Sequence, residues 1–490
     1  MQFPVSIDRR SGLPLQRQVY DAIRGAIPAG RLRAQDRLPA TRELSKALGV
    51  SRVTVSLAYE QLTAEGYLEP RPGAGTFVSA DVPDAFCAAA SRPPSRRVDV
   101  PVKSSRYSRR LKDEAVPPAA PRRAIDLSRF SPDFDGFPLA VWRRLVARQL
   151  RGTNRLFFHY SDDARGYQPL REVITAYVAR SRGVECDPAQ VLIVNGSQQA
   201  LDLCGRVLID VGQTVAIEEP GYPGARNLFL AHGARVETTP LDAEGISTRH
   251  LSSSAKVVYV TPSHQFPTGV SMSLSRRLEL LAWARTRRAV IIEDDYDSEY
   301  RYRGAPLPAL QSLAADVPLV YIGTFSKVMF PGLRLGYLVV PPSLERLFVS
   351  AKASMDRHTS LLEQVALTDF IAEGHLDRHV RRMRRLYAMR RHVLTEALHH
   401  HFGERAMILG DEAGMHLLVK FRDVIGEPDP NTSGVRMVGA TKYYHSSRPK
   451  GEFVMGFTAV SDRALREGVR RLASWGDASS KVKSPCAASR

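Results

Sequence analysis

The chain has 490 residues of ordinary globular composition, with 43% hydrophobic and 24% charged side chains and a net charge of +18. At roughly 150 residues per domain, this length predicts about three domains. The sequence has no apolar run long enough for a transmembrane helix and no secretory signal, and its four scattered cysteines form no CxxC pair. We therefore expect a reduced, cytoplasmic protein without a membrane segment or a structural zinc site.

The positive charge is concentrated at the start of the chain. Residues 1–80 carry +4 and residues 81–124 carry +5, which is half of the excess, and such an excess fits a polyanionic partner. Segment 81–124 also has seven prolines and no apolar periodicity, so it is predicted to be an extended linker. The predicted organisation is a head at 1–80, this linker, a body at 125–475 and a disordered tail at 476–490.

Three short helices are predicted in the head. Apolar residues recur at four-residue spacing from Leu15 to Ile27 and predict the first helix. The second ends near Leu48, Gly49 makes a turn, and Ser51 is a good N-cap for the third, Arg52–Ala64. Two helices around a glycine turn are the layout of a helix-turn-helix, and the glycine-rich segment that follows predicts a two-stranded wing.

The segment LPATRELSKALGVSRVTVSLAYEQLTAEGYLEPRPGAGTFVS resembles the winged helix-turn-helix of GntR-type transcription regulators. The resemblance implies binding to a double-stranded DNA operator. The implied DNA-binding residues are Arg42, Arg52, Thr54, Ser56, Gly73 and Gly75. The two arginines would reach base edges or phosphates and Thr54 a phosphate, while linker arginines such as Arg109 and Arg110 would add salt-sensitive, sequence-independent binding. At Ala34-Gln35-Asp36 the family usually has a Pro-Gly turn, so we expect a slightly different hairpin.

The body alternates apolar runs with amphipathic helices. Strands are predicted at Val191–Val194, Val215–Glu218, Val257–Thr261, Ala289–Glu293, Leu319–Gly323 and Leu335–Val340. This alternation predicts an α/β fold with a largely parallel sheet, whose ligands bind beyond the carboxyl ends of the strands. Lys327 lies at such a strand end, where a buried lysine is costly unless it is paired or neutralised, and imine formation with an aldehyde meets that need.

From Ser128 to Ser474 the body resembles fold-type I aminotransferases that use pyridoxal 5′-phosphate, with TFSK followed by PGLR as the most specific element. The resemblance implies that Lys327 is the catalytic Schiff-base lysine, Asp294 pairs with the pyridinium nitrogen and Tyr296 bonds the ring phenolate oxygen. It further implies a phosphate site and two tyrosine contacts. The phosphate residues are Ser197, Gln198, Thr324, Ser326 and Arg334; Tyr222 stacks on the ring, and Tyr160 reaches across a homodimer to the partner's phosphate.

One motif departs from the aminotransferase pattern. Phe266 stands where those enzymes have an Asn that bonds the ring oxygen, and His264 or Gln265 are the candidates to replace it. The HQFP motif and the fusion of a GntR head to an aminotransferase body resemble the MocR/GabR subfamily of GntR-type regulators. This resemblance implies a transcription regulator that senses a small-molecule effector through pyridoxal phosphate. The alternatives are a working aminotransferase with an accessory head, and a regulator whose body has lost the cofactor, which the intact Lys327, Asp294 and Arg334 disfavour.

The effector prediction depends on a missing arginine. Members of this fold that use amino acids carry a carboxylate-binding Arg in a late strand, and Val454 occupies that position here. A valine cannot pair with a carboxylate, so ordinary α-amino acids are expected to be poor effectors unless Arg448 or Arg226 replaces the lost group. Two effectors remain: an amine whose acidic end, if it has one, is recognised elsewhere, or pyridoxal phosphate itself.

Overall fold

The computed structural model describes residues 7–9, 11–82, 102–111, 121, 123–151, 157, 159–304, 307–314, 316–422, 426–446 and 449–482. Arg448, one of the two arginines considered for the effector, lies outside these ranges. The chain divides into two compact units, Met1–Lys103 and Ser104–Arg490. Within the described residues, no helix is long and apolar enough to cross a membrane.

The first unit is a three-helix head with a two-stranded wing. Its elements are α1 (Leu15–Ala26), α2 (Thr41–Leu48), α3 (Arg52–Ala64), β1 (Leu68–Arg71) and β2 (Gly75–Val78), the two strands pairing antiparallel. The predicted apolar faces of α1 and α3 form the core, where Val19, Ile23, Val55, Ala58 and Leu62 are fully buried. The helices and wing predicted for this segment are therefore confirmed.

The local sequence explains where α2 ends and where α3 begins. Gly49 takes the left-handed conformation at φ 62° and ends α2. The Ser51 hydroxyl accepts a hydrogen bond from the Thr54 amide at 3.1 Å and caps α3. In the hairpin at Ala34-Gln35-Asp36, which replaces the usual Pro-Gly turn, Gln35 takes the left-handed conformation at φ 68°. Its backbone amide donates a hydrogen bond to the carbonyl of Val78.

The second unit begins with a short helix and then forms the α/β body. Its helices are α4 (Arg106–Arg110), α5 (Leu139–Arg151), α6 (Gln168–Arg182), α7 (Ser197–Leu208), α8 (Pro223–His232), α9 (Leu274–Arg287), α10 (Glu345–Asp356), α11 (Leu361–Ala372), α12 (His375–Phe402), α13 (Pro430–Ser433) and α14 (Asp462–Val482). Its strands are β3 (Ile125–Asp126), β4 (Val191–Val194), β5 (Thr214–Glu219), β6 (Arg235–Asp242), β7 (Gly245–Ile246), β8 (Val257–Val260), β9 (Val290–Asp295), β10 (Leu319–Thr324), β11 (Gly336–Val339), β12 (Ala406–Leu409), β13 (His416–Phe421), β14 (Val435–Arg436), β15 (Val438–Gly439) and β16 (Glu452–Gly456).

The main sheet has the strand order β4-β11-β10-β9-β8-β5-β6-β7 in the described part of the chain. Strands β10, β9, β8, β5 and β6 are parallel, whereas β11 runs antiparallel to both of its neighbours. The sheet is therefore mixed, and its central part is parallel, as the largely parallel prediction expected. Because β8, β9 and β10 are adjacent and parallel, the residues at their carboxyl ends meet at one edge. A second sheet, β12-β13-β16-β15, contributes the start of β13 to the region near that edge.

Two segments predicted to lack packing contain helices. Helix α4 lies inside the predicted linker and packs on α8, with the Tyr107 ring edge-on to His232 at 5.3 Å and the Arg110 guanidinium against Gly233. Its cap explains its start, because Ser105 accepts a hydrogen bond from the Ser108 amide. Helix α14 continues past Gly476 to Val482, so the tail boundary was placed too early; residues 483–490 lie outside the described ranges.

Candidate cofactor and ligand site

A cavity of about 690 Å³ lies at the carboxyl ends of β8, β9 and β10. Seven of the ten residues that the resemblance assigned to the cofactor line it: Ser197, Tyr222, Asp294, Tyr296, Thr324, Ser326 and Lys327. These side chains come from separate strands and helices, so their convergence is a property of the fold. The size falls within the range of small-molecule sites.

Lys327 follows β10 and lies in the wall of this cavity. Its Nζ donates a hydrogen bond to the carbonyl of Phe130 at 2.8 Å. Burial lowers the pKa of Lys327, although the nearby carboxylates of Asp297 and Asp294 oppose that shift. A lowered pKa raises the fraction of neutral amine, which is the nucleophilic form needed to attack an aldehyde.

Asp294 lies near the end of β9, beside β10, and is 5% exposed. Its Oδ2 accepts a hydrogen bond from the Tyr259 hydroxyl at 2.8 Å, whereas Oδ1 is buried without a partner among the described residues. Burial raises the pKa of Asp294 to about 7. A buried carboxylate oxygen in need of a donor fits the protonated ring nitrogen of pyridoxal phosphate, so this residue suits the group that the fold implies.

The residues assigned to the phosphate lie around the start of α7. Gly196 takes φ 80° and precedes Ser197, so the first amides of α7 are free to bind an anion. The Arg334 Nη2 donates to the carbonyl of Asn195 at 2.9 Å, and a Cβ at Gly196 would stand 3.2 Å from that guanidinium. Gln198 and Arg334 thus flank Ser197 without lining the cavity itself.

Aromatic rings form the wall around the expected position of the cofactor ring. Tyr222 and Phe266 meet edge to face at 5.8 Å, and both line the cavity. Gln265 is not available to replace the missing Asn, because its amide nitrogen donates to the carbonyls of Pro220 and Phe266 and its oxygen accepts from Thr268. The Gln265 side chain therefore stabilises the local backbone turn through these hydrogen bonds.

His264 acts on the site through Tyr296 rather than by direct contact. Its Nδ1 lies 3.0 Å from the Tyr296 hydroxyl and 3.1 Å from both Asp297 carboxylate oxygens. The backbone amide of Met415 also donates to Asp297. His416 packs against the His264 ring at 4.8 Å, and burial holds its pKa well below the usual value, so it is neutral. Sequence reasoning missed Asp297 and His416, although Asp297 directly follows the tyrosine of the Asp294-Asp295-Tyr296 motif.

Tyr160 lies away from the cavity of its own chain. Its side chain is 76% exposed and packs only against His358 and Arg357 among the ring contacts of the described residues. Asp295 faces another direction as well, because it forms a buried ion pair with Arg182 at 2.7 Å and accepts from the Tyr321 hydroxyl. Asp295 therefore supports the strand end without contributing to the cavity.

Val454 and Arg226 occupy different surroundings. Val454 is fully buried in β16 and packs in a small apolar cluster with Leu418, Ala440 and Tyr443. Arg226, on α8, lines the cavity, and its Nη1 donates to the carbonyl of Tyr444 at 3.5 Å. Of the two replacement arginines considered from the sequence, Arg226 is the one that the described residues place at the site.

The residues assigned to DNA lie on α2, on α3 and at the tip of the wing. Arg42 on α2 and Arg52 on α3 are exposed and show no ion pair among the described residues. Thr54 and Ser56 are partly buried, and the Thr54 hydroxyl lies 2.8 Å from Ser51, so part of its role is to support the helix cap. Gly73 and Gly75 take φ 74° and 116° at the tip of the wing, a conformation that favours glycine.

Comparison with solved structures defines the class of the body. It is similar to the α-aminoadipate aminotransferase LysN from Thermus thermophilus, complexed with N-(5′-phosphopyridoxyl)-L-leucine, with a TM-score of 0.70 and 28% identity over 77% of this chain and 98% of that one. It is also similar to a Pyrococcus horikoshii kynurenine aminotransferase in complex with PMP, with a TM-score of 0.67 and 30% identity over 74% and 92%. The fold is that of a fold-type I aminotransferase, which implies binding of pyridoxal phosphate.

Comparison of sequences defines the whole chain. Residues 15–78 match the model of bacterial regulatory proteins of the gntR family, and residues 124–436 match aminotransferase class I and II. The chain is 39% identical to the probable rhizopine catabolism regulatory protein MocR of Rhizobium meliloti, over 96% of this chain and 95% of the relative. It is 32% identical to the HTH-type pyridoxine biosynthesis transcriptional regulator PdxR of Corynebacterium glutamicum, over 94% and 96%. The chain belongs to the MocR-type group of GntR-family transcription regulators.

The pKa of Asp294 predicts a pH effect on the cofactor-free protein. Between about pH 4, where the unfolded side chain ionises, and about pH 7, the folded state holds a proton that the unfolded state has lost. The free energy of unfolding therefore falls as the pH rises, by up to about 1.4 kcal/mol per pH unit for one such group. Urea unfolding at pH 5, 6 and 7 should show a smaller decrease for Asp294→Asn than for wild type.

The comparison reports on Asp294 because Glu293 and Glu299 keep their raised pKa values in both proteins. The Asp294 carboxylate also raises the pKa of Glu218, so the difference between the two proteins includes this effect on Glu218. Burial also raises the pKa of Glu218, Glu293 and Glu299 to about 7. An identical pH dependence in wild type and Asp294→Asn would contradict the assignment of this shift to Asp294.

Proposed function

We propose that this protein regulates transcription by binding operator DNA through its head, and that its body holds pyridoxal phosphate in the cavity and responds to a primary amine. The observation that carries the proposal is that Lys327 and Asp294 line one cavity at adjacent strand ends, with the Asp294 Oδ1 buried without a partner among the described residues. The bound cofactor would supply an electrophilic aldehyde carbon that condenses with amines.

The roles of the residues follow from their positions. Lys327 would hold the cofactor covalently, and its lowered pKa favours the neutral amine required for attack. Asp294 would keep the ring nitrogen protonated, and the amides at the start of α7 would bind the phosphate together with Ser326. Tyr296, positioned by His264, would donate to the ring oxygen in place of the missing Asn.

A second candidate signal is the cofactor itself. Val454 is apolar and stands where related enzymes have the cation that binds the carboxylate of an amino acid. The signal therefore need not be an amino acid. The name of the PdxR relative refers to pyridoxine biosynthesis, and that of the MocR relative to rhizopine catabolism. DNA affinity measured with and without pyridoxal phosphate, before any amine is added, separates the two signals.

The first prediction concerns Lys327. Lys327→Ala should abolish the visible absorbance of the bound cofactor and its loss on borohydride reduction. Of the two lysines that line the cavity among the described residues, Lys327 is the one that follows β10, and Lys442 lies on a different segment. The matched control is Lys420→Ala, since Lys420 is exposed on β13 and pairs with Glu452. A wild-type protein that takes up no pyridoxal phosphate would refute the proposal for the body.

The second prediction concerns Arg52. Arg52→Ala should weaken binding to the specific operator by about 1–3 kcal/mol, with a smaller effect on random DNA, if the exposed guanidinium contacts a base. Arg17→Ala removes the same charge from α1, where Arg17 pairs with Asp21, and serves as the control in a binding titration at fixed salt. Equal losses on specific and random DNA would make Arg52 a phosphate contact instead.

We also propose that the body forms a homodimer. Exposed Tyr160 is free to reach a second copy, and the exposed apolar residues Leu139 and Leu150 on α5 favour a covered surface. Analytical ultracentrifugation at micromolar concentration should give twice the 54.3 kDa chain mass. Leu139→Glu with Leu150→Glu should shift the mass toward one chain, whereas Leu278→Glu on α9 should not. A wild-type mass of one chain would contradict the dimer.

A further inference from the structure

Helix α3 presents two apolar side chains to solvent in its first half. Val53, the second residue of the helix, is 65% exposed, and Leu57, one turn further on, is 43% exposed. Residues four apart lie on the same face of a helix, so the two side chains are neighbours. The core of the head is formed instead by the opposite face, where Val55 and Ala58 are fully buried. The exposed pair therefore lies outside the packed face of the helix.

The pair lies among side chains that are assigned to DNA. Exposed Arg52 directly precedes Val53, and partly buried Ser56 directly precedes Leu57. In a helix-turn-helix, the N-terminal residues of the recognition helix contact the edges of the bases in the major groove. The segment that carries the apolar pair is thus the part of α3 that lies nearest to the bases when the head binds DNA.

Few hydrogen-bonding groups remain for the bases in this part of α3. The hydroxyls of Ser51 and Thr54 lie 2.8 Å apart, and the Ser51 hydroxyl also accepts from the Thr54 amide, so both are engaged in the helix cap. The exposed side chains of the first two turns are those of Arg52, Val53 and Leu57. Of these three, Arg52 can donate hydrogen bonds to a base, whereas Val53 and Leu57 can make only apolar contacts.

The major groove offers one apolar group to such side chains. Thymine carries a methyl group at C5, and apolar side chains pack against it, whereas the other three bases present only donors and acceptors there. Burial of exposed apolar surface against that methyl group is favourable, and burial of an unpaired polar base edge is costly. The net positive charge of residues 1–80 favours DNA over an apolar protein surface as the occupant of this face.

We propose that Val53, together with Leu57, reads the C5-methyl group of a thymine in the operator, so that Val53 is a determinant of sequence specificity. This inference rests on the proposed function, because it requires that the head binds an operator. It adds an apolar contact with a defined base to the polar contact expected from Arg52.

The test starts from the full-length protein and a library of random duplex DNA, from which rounds of binding enrich the preferred sequence. Each thymine of that sequence is then replaced singly by deoxyuridine, which removes the C5-methyl group and keeps the base pair. For at least one thymine, the dissociation constant at fixed salt should rise about fourfold, as expected for the loss of one buried methyl group.

Substitution of Val53 should remove the effect of that methyl group. In Val53→Ala the preference for thymine over deoxyuridine should fall below about twofold, whereas Val53→Ile keeps the apolar contact and should retain the preference. Leu57→Ala should give an intermediate preference. The matched control is Leu13→Ala, since Leu13 is 55% exposed in the segment before α1 and lies outside α3; it should behave as wild type. Alanine is a good helix former, so α3 should remain folded in both alanine variants.

The outcomes separate this inference from the proposed function. If no sequence is enriched from the library, the proposed operator binding fails. If the enriched sequence contains no A·T pair, if every deoxyuridine substitution is neutral, or if the full methyl effect persists in Val53→Ala, operator binding stands and the role of Val53 is refuted. Loss of the preference in Leu13→Ala to the same extent as in Val53→Ala would also refute it.

Discussion

The body is organised around ionisable groups that the sheet removes from water at its carboxyl edge. Asp294 lies at the end of β9, and Lys327 lies just beyond the end of the adjacent strand β10. Burial lowers the pKa of Lys327 and raises the pKa of Asp294, so it favours the neutral form of both groups. Without a bound group, the pair is only partly satisfied, since one Asp294 oxygen has no partner among the described residues. The position therefore costs stability unless a ligand supplies both an electrophile for the amine and a donor for the carboxylate.

The surrounding residues keep this edge rigid. The buried pair of Arg182 and Asp295 lies directly beside Asp294 on β9, and the Arg182 guanidinium also donates to Ser263. On the other side, Asp297 orders His264, which in turn meets the Tyr296 hydroxyl. Asp294 is thus held by Tyr259, and Tyr296 by His264, so both side chains have fixed positions in the cavity wall.

Sequence patterns predicted the elements whose information is local. The apolar spacing of α1, the glycine turn and the Ser51 cap lie within a few residues of the structures they determine. The six predicted strand runs between Val191 and Val340 match observed strands within two residues, whereas β6 and β7 were not predicted. The motif residues of the cavity were also predicted, because the TFSK and Asp294-Asp295-Tyr296 segments each follow a strand. The resemblance supplied their individual roles.

The remaining features depend on contacts between distant segments. The antiparallel direction of β11 follows from the chain turning back after Arg334, which strand periodicity does not report. Gln265 is used by the backbone of Pro220 and Phe266, and His416 joins the site from a strand about 90 residues beyond Lys327 in the chain. The helix α4 was missed because it is short, rich in arginine and packed against α8 mainly through Tyr107.

Helix α8 is in contact with both the cavity and the segment that leads into the body. Tyr222, just before its start, and Arg226, in its first turns, line the cavity. His232 at its end contacts Tyr107 of α4 and pairs with Asp202. The helix is ten residues long, so these two ends are about 15 Å apart on one rigid element. A ligand in this cavity would therefore lie beside the same helix that packs against α4, inside the predicted linker. Energetic coupling between two sites is carried by contiguous packing of this kind. The strength of the coupling is set by the difference in the ligand's affinity for the alternative positions of that helix.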